Sequence, residues 1–363
     1  MAAIKTGIVA FGLAGRNLHY RALVDGLSDM VEVVAVFNRS PINRAGSGPD
    51  DFPVDERVIV YDDYDAFLAH EGLEVVHVST PSGLHRDYVI AAAAAKKHVI
   101  CDKPLEVTLT KADDCIAACR ENGVALSVNF QQRFNPHATR LKEAIGNGLF
   151  GDPVSGSTEI LLYRDPEYYT KSSWHGKLAL DGGAALINQG IHYIDLLQWL
   201  MGSPVAEITI GVAERLVHTY IEAEDFGYAE LTLANGAEMT ITGGTCFRPG
   251  IDQRLEIRGT RGWVRLVNGV ITRAFWDGED RMPYFGAVKK VASKGGNPAI
   301  GLDNHIRYFR TVYDAITSGA SVPVTGEEAR KSLEIVLGIY KAWETKGAVR
   351  FPLDAEYVPS LGS

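Results

Sequence analysis

An asparagine, a histidine and an aspartate share one predicted helix in the second half of the chain. Asn188, His192 and Asp195 are spaced i, i+4 and i+7, so in a helix they lie on one face. A histidine is the side chain best suited to move protons near neutral pH, and an aspartate one turn away can fix its tautomer. The spacing predicts acid–base chemistry at His192. The alternative is a core helix with a buried, hydrogen-bonded histidine.

The helix that would position these side chains is predicted over residues 181–201. Leu196, Leu197 and Leu200 give it an apolar stripe to bury. Gly190 stands where a helix normally prefers a side chain, and its missing Cβ would let a flat group approach the backbone closely.

The composition is that of a globular protein with two domains. A chain of 363 residues exceeds what one core usually holds, and 46% hydrophobic and 22% charged residues are ordinary. The net charge of −9 argues against a nucleic-acid partner. No apolar run approaches membrane-spanning length, and the first residues lack the layout of a signal peptide. We therefore expect a cytoplasmic protein with neither nucleic acid nor membrane as a partner.

The cysteines do not predict a metal site. Cys115 and Cys119 are spaced i, i+4 on a predicted helix, which could hold a metal geometrically. No second pair of ligands is spaced nearby, so we interpret them as small apolar packing residues.

The first third of the chain alternates strands and helices. Its apolar runs lack polar alternation, as expected in a parallel sheet covered on both faces. The predicted strands are 4–11, 31–37, 75–79, 98–101 and 125–130, and the predicted helices are 12–27, 85–95 and 109–122. Repeated βα units predict the α/β class, with a doubly wound sheet of the Rossmann type.

The first βα turn, residues 10–16, is a dinucleotide-binding fingerprint in which Ala10 replaces the first glycine. Gly12 would let the backbone approach a pyrophosphate, and Gly15 would let the helix pack on its strand. The helix amino terminus would then present unpaired N–H groups to the anion. The alternative is a plain tight turn. The predicted cofactor contacts here are Phe11, Gly12, Leu13, Ala14 and Gly15.

The residues after the second strand bear on the choice of cofactor. An acidic side chain here usually accepts the ribose 2′-hydroxyl of NAD, and Asn38 cannot supply that charge. Arg39 and Ser40 could bind a 2′-phosphate instead. We therefore expect NAD or NADP, with NADP favoured, in contact with all three residues. The alternative for Arg39 is a solvated loop arginine.

A lysine follows the fourth predicted strand, in the sequence Asp102-Lys103-Pro104. Ligands of such sheets bind beyond the carboxyl ends of the strands, which is where Lys103 falls. Pro104 holds the preceding residue extended. Lys103 is thus placed to donate to a substrate oxygen, unless it is an ordinary exposed loop lysine.

Four motifs occur in one order: Gly12-Leu13-Ala14-Gly15, Ser79-Thr80-Pro81-Ser82-Gly83-Leu84-His85, Asp102-Lys103-Pro104, and Asn188-Gln189-Gly190-Ile191-His192-Tyr193-Ile194-Asp195. In these the chain closely resembles the Gfo/Idh/MocA oxidoreductase family over nearly its full length. The resemblance implies a Rossmann domain, residues 1–127, and a C-terminal α+β domain, residues 128–363. The second domain would carry a large, mostly antiparallel open sheet that packs against another subunit in a homodimer or homotetramer.

The later sequence fits a mostly antiparallel sheet independently. Six strands are predicted between residues 154 and 268, with an Asn-Gly turn at 235–236 and another at 268–269. Residues 282–297 lack periodicity and are interpreted as a loop, and 303–318 and 327–345 as helices.

The resemblance implies hydride transfer between the nicotinamide of NAD(P) and a secondary alcohol or carbonyl carbon of a sugar, sugar derivative or polyol. Lys103 matches the family's active-site lysine and His192 its active-site histidine. We assign His192 as the base and Lys103 as the group that orients the oxygen and stabilises its negative charge, although these roles can be exchanged. Asp195 would orient His192 or bind a neighbouring hydroxyl. Further cofactor contacts are expected at Thr80, Pro81, His85, Asp102 and Lys103.

Two positions depart from the family pattern. Inositol dehydrogenase-like members carry an aspartate where this chain has Asn188, which can hydrogen-bond but cannot stabilise an imidazolium by charge. Asp102 replaces the more usual glutamate before the lysine, and the shorter side chain would shift that turn slightly.

Polar and aromatic side chains are concentrated before the predicted helix of His192. Such side chains suit a carbohydrate ring, but they are also enriched at subunit interfaces. The predicted substrate contacts are Lys103, Arg133, Arg164, Tyr168, Asn188 and His192.

Three functions compete. The favoured one is an NAD(P)-dependent sugar or polyol dehydrogenase or reductase. The second is a redox-neutral, NAD-dependent glycoside hydrolase of the same family, and the third is a non-catalytic nucleotide-sensing regulator. Retention of both Lys103 and His192 argues against the regulator.

Overall fold

The computed structural model describes residues 2–46, 48, 51–286, 293–294, 297–298 and 301–361. The chain forms two compact units. The first unit comprises Met1–Glu106, Thr110–Gln131 and Gly301–Arg330, and the second comprises Val107–Leu109, Gln132–Ile300 and Lys331–Ser363.

The strands are β1 (Ile4–Val9), β2 (Val31–Phe37), β3 (Ile59–Tyr61), β4 (Val75–Val78), β5 (His98–Cys101), β6 (Leu126–Val128), β7 (Pro153–Leu161), β8 (Val205–Glu214), β9 (Phe226–Leu233), β10 (Glu238–Gly244), β11 (Arg254–Gly259), β12 (Gly262–Val267), β13 (Val270–Trp276), β14 (Glu279–Asp280), β15 (Ser293–Lys294), β16 (Asn297–Pro298) and β17 (Val349–Arg350).

The α-helices are α1 (Arg21–Leu27), α2 (Tyr64–Leu68), α3 (His85–Ala94), α4 (Leu109–Asn122), α5 (Pro136–Gly146), α6 (Pro166–Thr170), α7 (Ile191–Met201), α8 (Met282–Phe285), α9 (Leu302–Ser318) and α10 (Gly326–Thr345). Two π-helical turns, Gly15–Tyr20 and Ala185–Gly190, lead directly into α1 and α7, and two 3₁₀ turns are Ser82–Leu84 and Gln131–Phe134. No helix that the structure describes is both long and apolar enough to cross a membrane.

The first unit is built on a six-stranded parallel sheet in the order β3-β2-β1-β4-β5-β6. Central residues such as Ile8, Val36 and Val76 are fully buried, as the apolar runs predict. The doubly wound Rossmann sheet is therefore confirmed. The sequence-based prediction missed β3 and α2, which are only three and five residues long.

Residues 301–330 belong to the first unit, which differs from the predicted division at residue 127. The reason is the packing of α9 on α1. The guanidinium of Arg310 donates to the carbonyl of Gly26 at 2.6 Å and pairs with Asp29 at 2.9 Å, and Ile306 fills the space beside Gly26.

The second unit is built on a sheet of nine described strands in the order β14-β13-β12-β11-β7-β10-β9-β8-β17. Its described pairs are antiparallel except for β7 with β10. Helix α7 packs closely on β7, since a Cβ on Gly156 would lie 2.8 Å from Leu197 and 2.9 Å from Met201. The predicted large, mostly antiparallel sheet is confirmed.

One predicted turn accounts for a strand that the sequence-based reading left out. Asn268 and Gly269 both have positive φ, 49° and 76°, as a type I′ hairpin turn requires, and they join β12 to β13. The segment 282–297, predicted to be a loop, contains α8, β15 and the first residue of β16. Its residues 287–292 and 295–296 lie outside the described part of the chain.

The predicted single helix over 181–201 is wrong at its start. Gly182 has a φ of +79°, which a helix cannot accommodate, and the helical segment begins only at Ala185. It opens with the π-helical turn and ends before Gly202, which is left-handed. Asn188 therefore lies in the π-helical turn and His192 in the first turn of α7.

Candidate active site

The fingerprint turn of the first unit is shaped by two residues with special backbone requirements. A Cβ on Gly15 would lie 2.1 Å from the carbonyl oxygen of Ala10 and 2.8 Å from Oγ of Ser79, so only glycine fits. Ala10 itself has a φ of 65°, in the left-handed region that favours glycine. A Cβ on Gly12 would have no heavy atom of the described chain within 4 Å, so this backbone borders open space. The turn thus has the close helix–strand approach that the fingerprint predicts.

Asn38 ties the fingerprint turn to the end of β2. Its Oδ1 accepts from the N–H of Phe11 at 3.0 Å, and its Nδ2 donates to the carbonyl of Ser40 at 2.7 Å. Arg39 and Ser40 are exposed beside it. Sequence reasoning identified Asn38 by the charge it lacks, whereas the structure shows what its amide holds in place.

The segment after β4 carries a buried hydroxyl and a buried histidine. Oγ1 of Thr80 has no hydrogen-bond partner among the described residues. His85 lies within hydrogen-bond distance of three carbonyl oxygens, those of Thr80 and Pro104 at 2.9 Å and that of Leu105 at 3.2 Å. Because His85 is 1% exposed, the structure places it between the segment after β4 and the Asp102–Pro104 turn rather than on the surface.

The carboxyl of Asp102 backs the turn that carries Lys103. Its Oδ1 accepts from the N–H of Lys103 at 3.0 Å and from Nδ2 of Asn129 at 3.3 Å. Nε2 of His19 lies 3.8 Å from its Oδ2. Burial alone would raise the pKa of Asp102, but the neighbouring His19 ring and the charge of Lys103 bring it below the ordinary value. Asp102 is therefore ionised at neutral pH.

A cluster of buried histidines continues inward from Asp102. Nδ1 of His19 lies 2.9 Å from Nδ1 of His77, so one hydrogen lies between the two rings. Nε2 of His77 is 2.9 Å from the hydroxyl of Tyr313. Burial is the main cause that lowers the pKa of His77 and that of His305, the latter to about 4. The charge of His19 lowers both further. His77 and His305 are thus neutral at pH 7.

In the second unit, Asn188 is bonded to a carboxylate that sequence reasoning missed. Nδ2 of Asn188 donates to Oδ1 of Asp181 at 2.7 Å, and the N–H of Gly176 donates to Oδ2 at 2.8 Å. Asp181 is fully buried, whereas Asn188 and His192 are half-buried. The motif residue 188 and a carboxylate seven positions earlier therefore form one hydrogen-bonded pair.

A second set of polar contacts joins Arg164 to the same turn. Nη2 of Arg164 donates to Oε1 of Gln189, whose Nε2 donates to the hydroxyl of Tyr168 at 3.0 Å. Tyr168 stacks on His175 with ring centroids 4.1 Å apart. Burial, and second the charge of Asp181, raise the pKa of Tyr168 to about 12, so its hydroxyl keeps its proton. Gln189 lies inside the motif, next to the predicted contact Asn188, but was not itself predicted as a site residue.

Arg133 and Asp195 form a buried ion pair, which differs from the roles predicted for them. The Arg133 guanidinium donates to both carboxyl oxygens of Asp195, at 2.7 and 2.8 Å. The side chains are 4% and 1% exposed. A buried guanidinium needs a carboxylate to offset its desolvation. The structure thus places this ion pair inside the second unit, where Arg133 occupies both carboxyl oxygens of Asp195.

The glycine before His192 serves the turn itself. A Cβ on Gly190 would lie 3.1 Å from the carbonyl oxygen of Ala185, five residues earlier. The predicted role of Gly190, close approach by a flat ligand, is replaced by this need of the π-helical turn. Such turns occur frequently at functional sites.

A buried carboxyl, also missed from sequence, caps the start of this turn. Glu224 accepts from the N–H groups of Leu186 at 2.7 Å and Ala184 at 3.2 Å. Burial raises the pKa of Glu224 to about 7, and the hydrogen bond from Leu186 opposes the rise.

Both parts of the chain match models of one protein family. Residues 4–130 match a model described as an oxidoreductase family with an NAD-binding Rossmann fold, and residues 138–265 match the GFO/IDH/MocA C-terminal domain. The chain is 27% identical over 350 residues to the scyllo-inositol 2-dehydrogenase (NADP(+)) IolW of Bacillus subtilis, with 92% of each chain covered. It is 27% identical to the myo-inositol 2-dehydrogenase of Thermotoga maritima, over 80% of this chain and 83% of that protein.

The chain is also similar in fold and sequence to a solved dehydrogenase structure. The WlbA dehydrogenase from Bordetella pertussis, in complex with NADH and UDP-GlcNAcA, matches with a TM-score of 0.81 and 28% identity, over 97% of this chain and all of that one. The fold and the fingerprint turn define an oxidoreductase with a dinucleotide-binding Rossmann unit. The chain belongs to the GFO/IDH/MocA family of NAD(P)-dependent oxidoreductases.

Proposed function

We propose that the protein transfers a hydride between NAD(P) and a secondary alcohol or carbonyl carbon of a sugar, sugar derivative or polyol. The observation that carries this proposal is the support given to each predicted catalytic residue. Asp102 accepts from the backbone N–H of Lys103, and Asn188, in the π-helical turn before the helix of His192, donates to Asp181. The relatives named above act on inositols according to their names, and the WlbA structure holds a nucleotide-linked sugar.

The residues of the first unit fit a dinucleotide. Gly12 borders open space, and Thr80 offers a buried hydroxyl that lacks a partner within the described chain, where native proteins rarely leave such a group unsatisfied. Exposed Arg39 and Ser40 would hold a 2′-phosphate, which favours NADP over NAD. When bound, the nicotinamide accepts or returns the hydride.

Lys103 and His192 act on the reacting oxygen in this proposal. In the oxidation direction, the hydroxyl proton must leave as the hydride departs. His192 takes that proton, while the Lys103 ammonium orients the oxygen and stabilises its developing negative charge. Asn188, Tyr168 and Arg164 bind neighbouring hydroxyls. We further propose that the open face of the nine-stranded sheet forms a homodimer or homotetramer contact.

The direct experiment follows absorbance at the reduced-nicotinamide band, with NAD and NADP in parallel, against scyllo-inositol, myo-inositol, D-xylose and D-glucose. A rising signal with at least one alcohol supports the proposal and identifies the cofactor. A flat trace across the panel in both directions, with nucleotide binding shown by fluorescence, would contradict it and favour the redox-neutral hydrolase or the regulator.

A further inference from the structure

A fully buried carboxylate stands directly behind the amide of Asn188. Oδ1 of Asp181 accepts from Nδ2 of Asn188 at 2.7 Å, within the range of charge-assisted hydrogen bonds. Its Oδ2 accepts from the N–H of Gly176 at 2.8 Å. Both oxygens of Asp181 thus accept a hydrogen bond, and these two bonds fix the orientation of the carboxylate.

The backbone around Asp181 is built to place it there. A Cβ on Gly182 would lie 2.8 Å from Val107, and φ at this position is +79°. A Cβ on Gly183 would lie 2.1 Å from the hydroxyl of Tyr340. Two positions that accept only glycine therefore turn the chain sharply between Asp181 and the helix.

This pairing selects one of the two orientations of the Asn188 amide. An ionised carboxylate only accepts hydrogen bonds, so the amide must present its NH₂ group to Asp181. Its carbonyl oxygen then faces the other way, where Nε2 of Gln189 lies 3.4 Å from it. Without Asp181, the longer contact with Gln189 would favour this orientation less strongly, and residue 188 would present its donor to the substrate more often.

We propose that Asp181 is a positioning residue that makes Asn188 a hydrogen-bond acceptor for a substrate hydroxyl adjacent to the reacting carbon. Asp181 also supplies a negative charge. This charge lies further from His192 than that of a carboxylate at position 188 would, because the Asn188 side chain stands in between. The substrate class follows: a compound with neighbouring hydroxyls, such as a polyol or sugar ring. This substrate role rests on the proposed function, whereas the pairing itself does not.

A reciprocal exchange tests the pairing without any substrate. Asp181→Asn and Asn188→Asp are made singly and together, with Asn235→Asp in an exposed turn as the control for an added charge. Each single variant should lower Tm by about 5 °C, because one faces two amides and the other two carboxylates. The double variant restores one amide and one carboxylate and should recover to within about 2 °C of wild type. A double variant no more stable than the weaker single one would overturn the pairing.

The position of the charge is tested by NMR titration of the His192 ring, assigned with His192→Gln. The exchange brings the carboxylate to the residue one helical turn from His192, so the pKa measured for that ring should rise by about 1. Asn235→Asp should leave it unchanged. An unaltered pKa in the double variant would contradict the placement of residue 188 beside His192.

The substrate role is tested with myo-inositol as the probe. Asp181→Asn should raise KM by about tenfold while kcat stays within about threefold, since a uniform binding contact weakens. An unchanged KM would overturn the role. If the wild type does not turn over myo-inositol or any other alcohol of the panel, the proposed function fails, while the stability cycle and the titration still decide the pairing.

Discussion

Each unit places a carboxylate behind one predicted catalytic residue, but Asp102 is 19% exposed whereas Asp181 is fully buried, and the two arrangements differ. Asp102 of the first unit precedes Lys103 directly and accepts its backbone N–H. Asp181 of the second unit lies eleven positions before His192 and contacts Asn188 instead. The first carboxylate therefore acts on the catalytic segment itself, and the second acts through an amide.

The surroundings of the two carboxylates differ as well. Asp102 borders a cluster of buried histidines, of which His77 and His305 are neutral at pH 7 because burial lowers their pKa values. Asp181 accepts hydrogen bonds from the amide of Asn188 and the backbone N–H of Gly176. We therefore infer that Asp102 contributes more to turnover, and Asp181 more to substrate binding.

The largest effect in this comparison is expected from Asp102→Asn. The change keeps one acceptor oxygen for Lys103 and Asn129 but removes the negative charge and turns the oxygen that faces His19 into a donor, so it should lower the free energy of unfolding by about 2–3 kcal/mol. Turnover should fall by about 10–100-fold, since the lysine loses its fixed position. Urea unfolding and steady-state kinetics measure both.

The matched control is Asp113→Asn, which removes a partly exposed partner of Arg330 in the same unit. It should cost about 1 kcal/mol or less and leave turnover unchanged. If Asp113→Asn lost as much turnover as Asp102→Asn, the loss would not be specific to the carboxylate behind Lys103. If Asp102→Asn lost less turnover than Asp181→Asn, the ranking of Asp102 above Asp181 would be reversed.

The second unit should show its own pH dependence through Glu224. Its pKa is about 7 in the folded protein, against an ordinary value of 4.5, so the folded state binds the proton more tightly. Stability from this group is therefore full below about pH 4.5 and is lost as the pH rises through 7, by up to about 3 kcal/mol. Urea unfolding at pH 5 and pH 8 should show a smaller decrease in Glu224→Gln than in wild type. Identical decreases would exclude Glu224 as the source.

Arg39 tests the cofactor preference of the first unit. Arg39→Ala should weaken NADP binding by about tenfold and leave NAD binding within about twofold, because only NADP carries the 2′-phosphate. Fluorescence titration of both cofactors measures this difference. Equal weakening of the two would contradict the phosphate contact.

The smallest effect is expected at Ala10, whose φ of 65° strains any residue with a side chain. Ala10→Gly removes that strain but adds freedom to the unfolded chain, so the net gain in stability should be about 0.5 kcal/mol. Thermal unfolding detects this as a rise in Tm of 1–2 °C. A lower Tm would show that the methyl group of Ala10 contributes packing that outweighs the strain.

The sequence was most informative where the signal is local. The βα alternation predicted the parallel sheet of the first unit. The Asn-Gly pair at 268–269 predicted the hairpin turn between β12 and β13 of the second unit. The motifs also identified the segments that carry Lys103 and His192. The family assignment followed from the motifs together, because no single one is specific.

The groups behind those segments could not be read from the sequence. His19 lies 83 positions before Asp102, and Glu224 lies 38 positions after Leu186, so only the fold brings each pair together. Arg133 and Asp195 illustrate the converse. Their residue types indicate a site, but 62 positions apart they meet each other in the interior.

The most direct test of the assigned chemistry compares wild type with Lys103→Ala and His192→Ala in the reduced-nicotinamide assay, using the cofactor and alcohol that the panel identifies. We expect each variant to lose turnover completely while its cofactor affinity, measured by fluorescence, stays within about twofold of wild type. Turnover close to wild type in either variant would contradict the assigned chemistry.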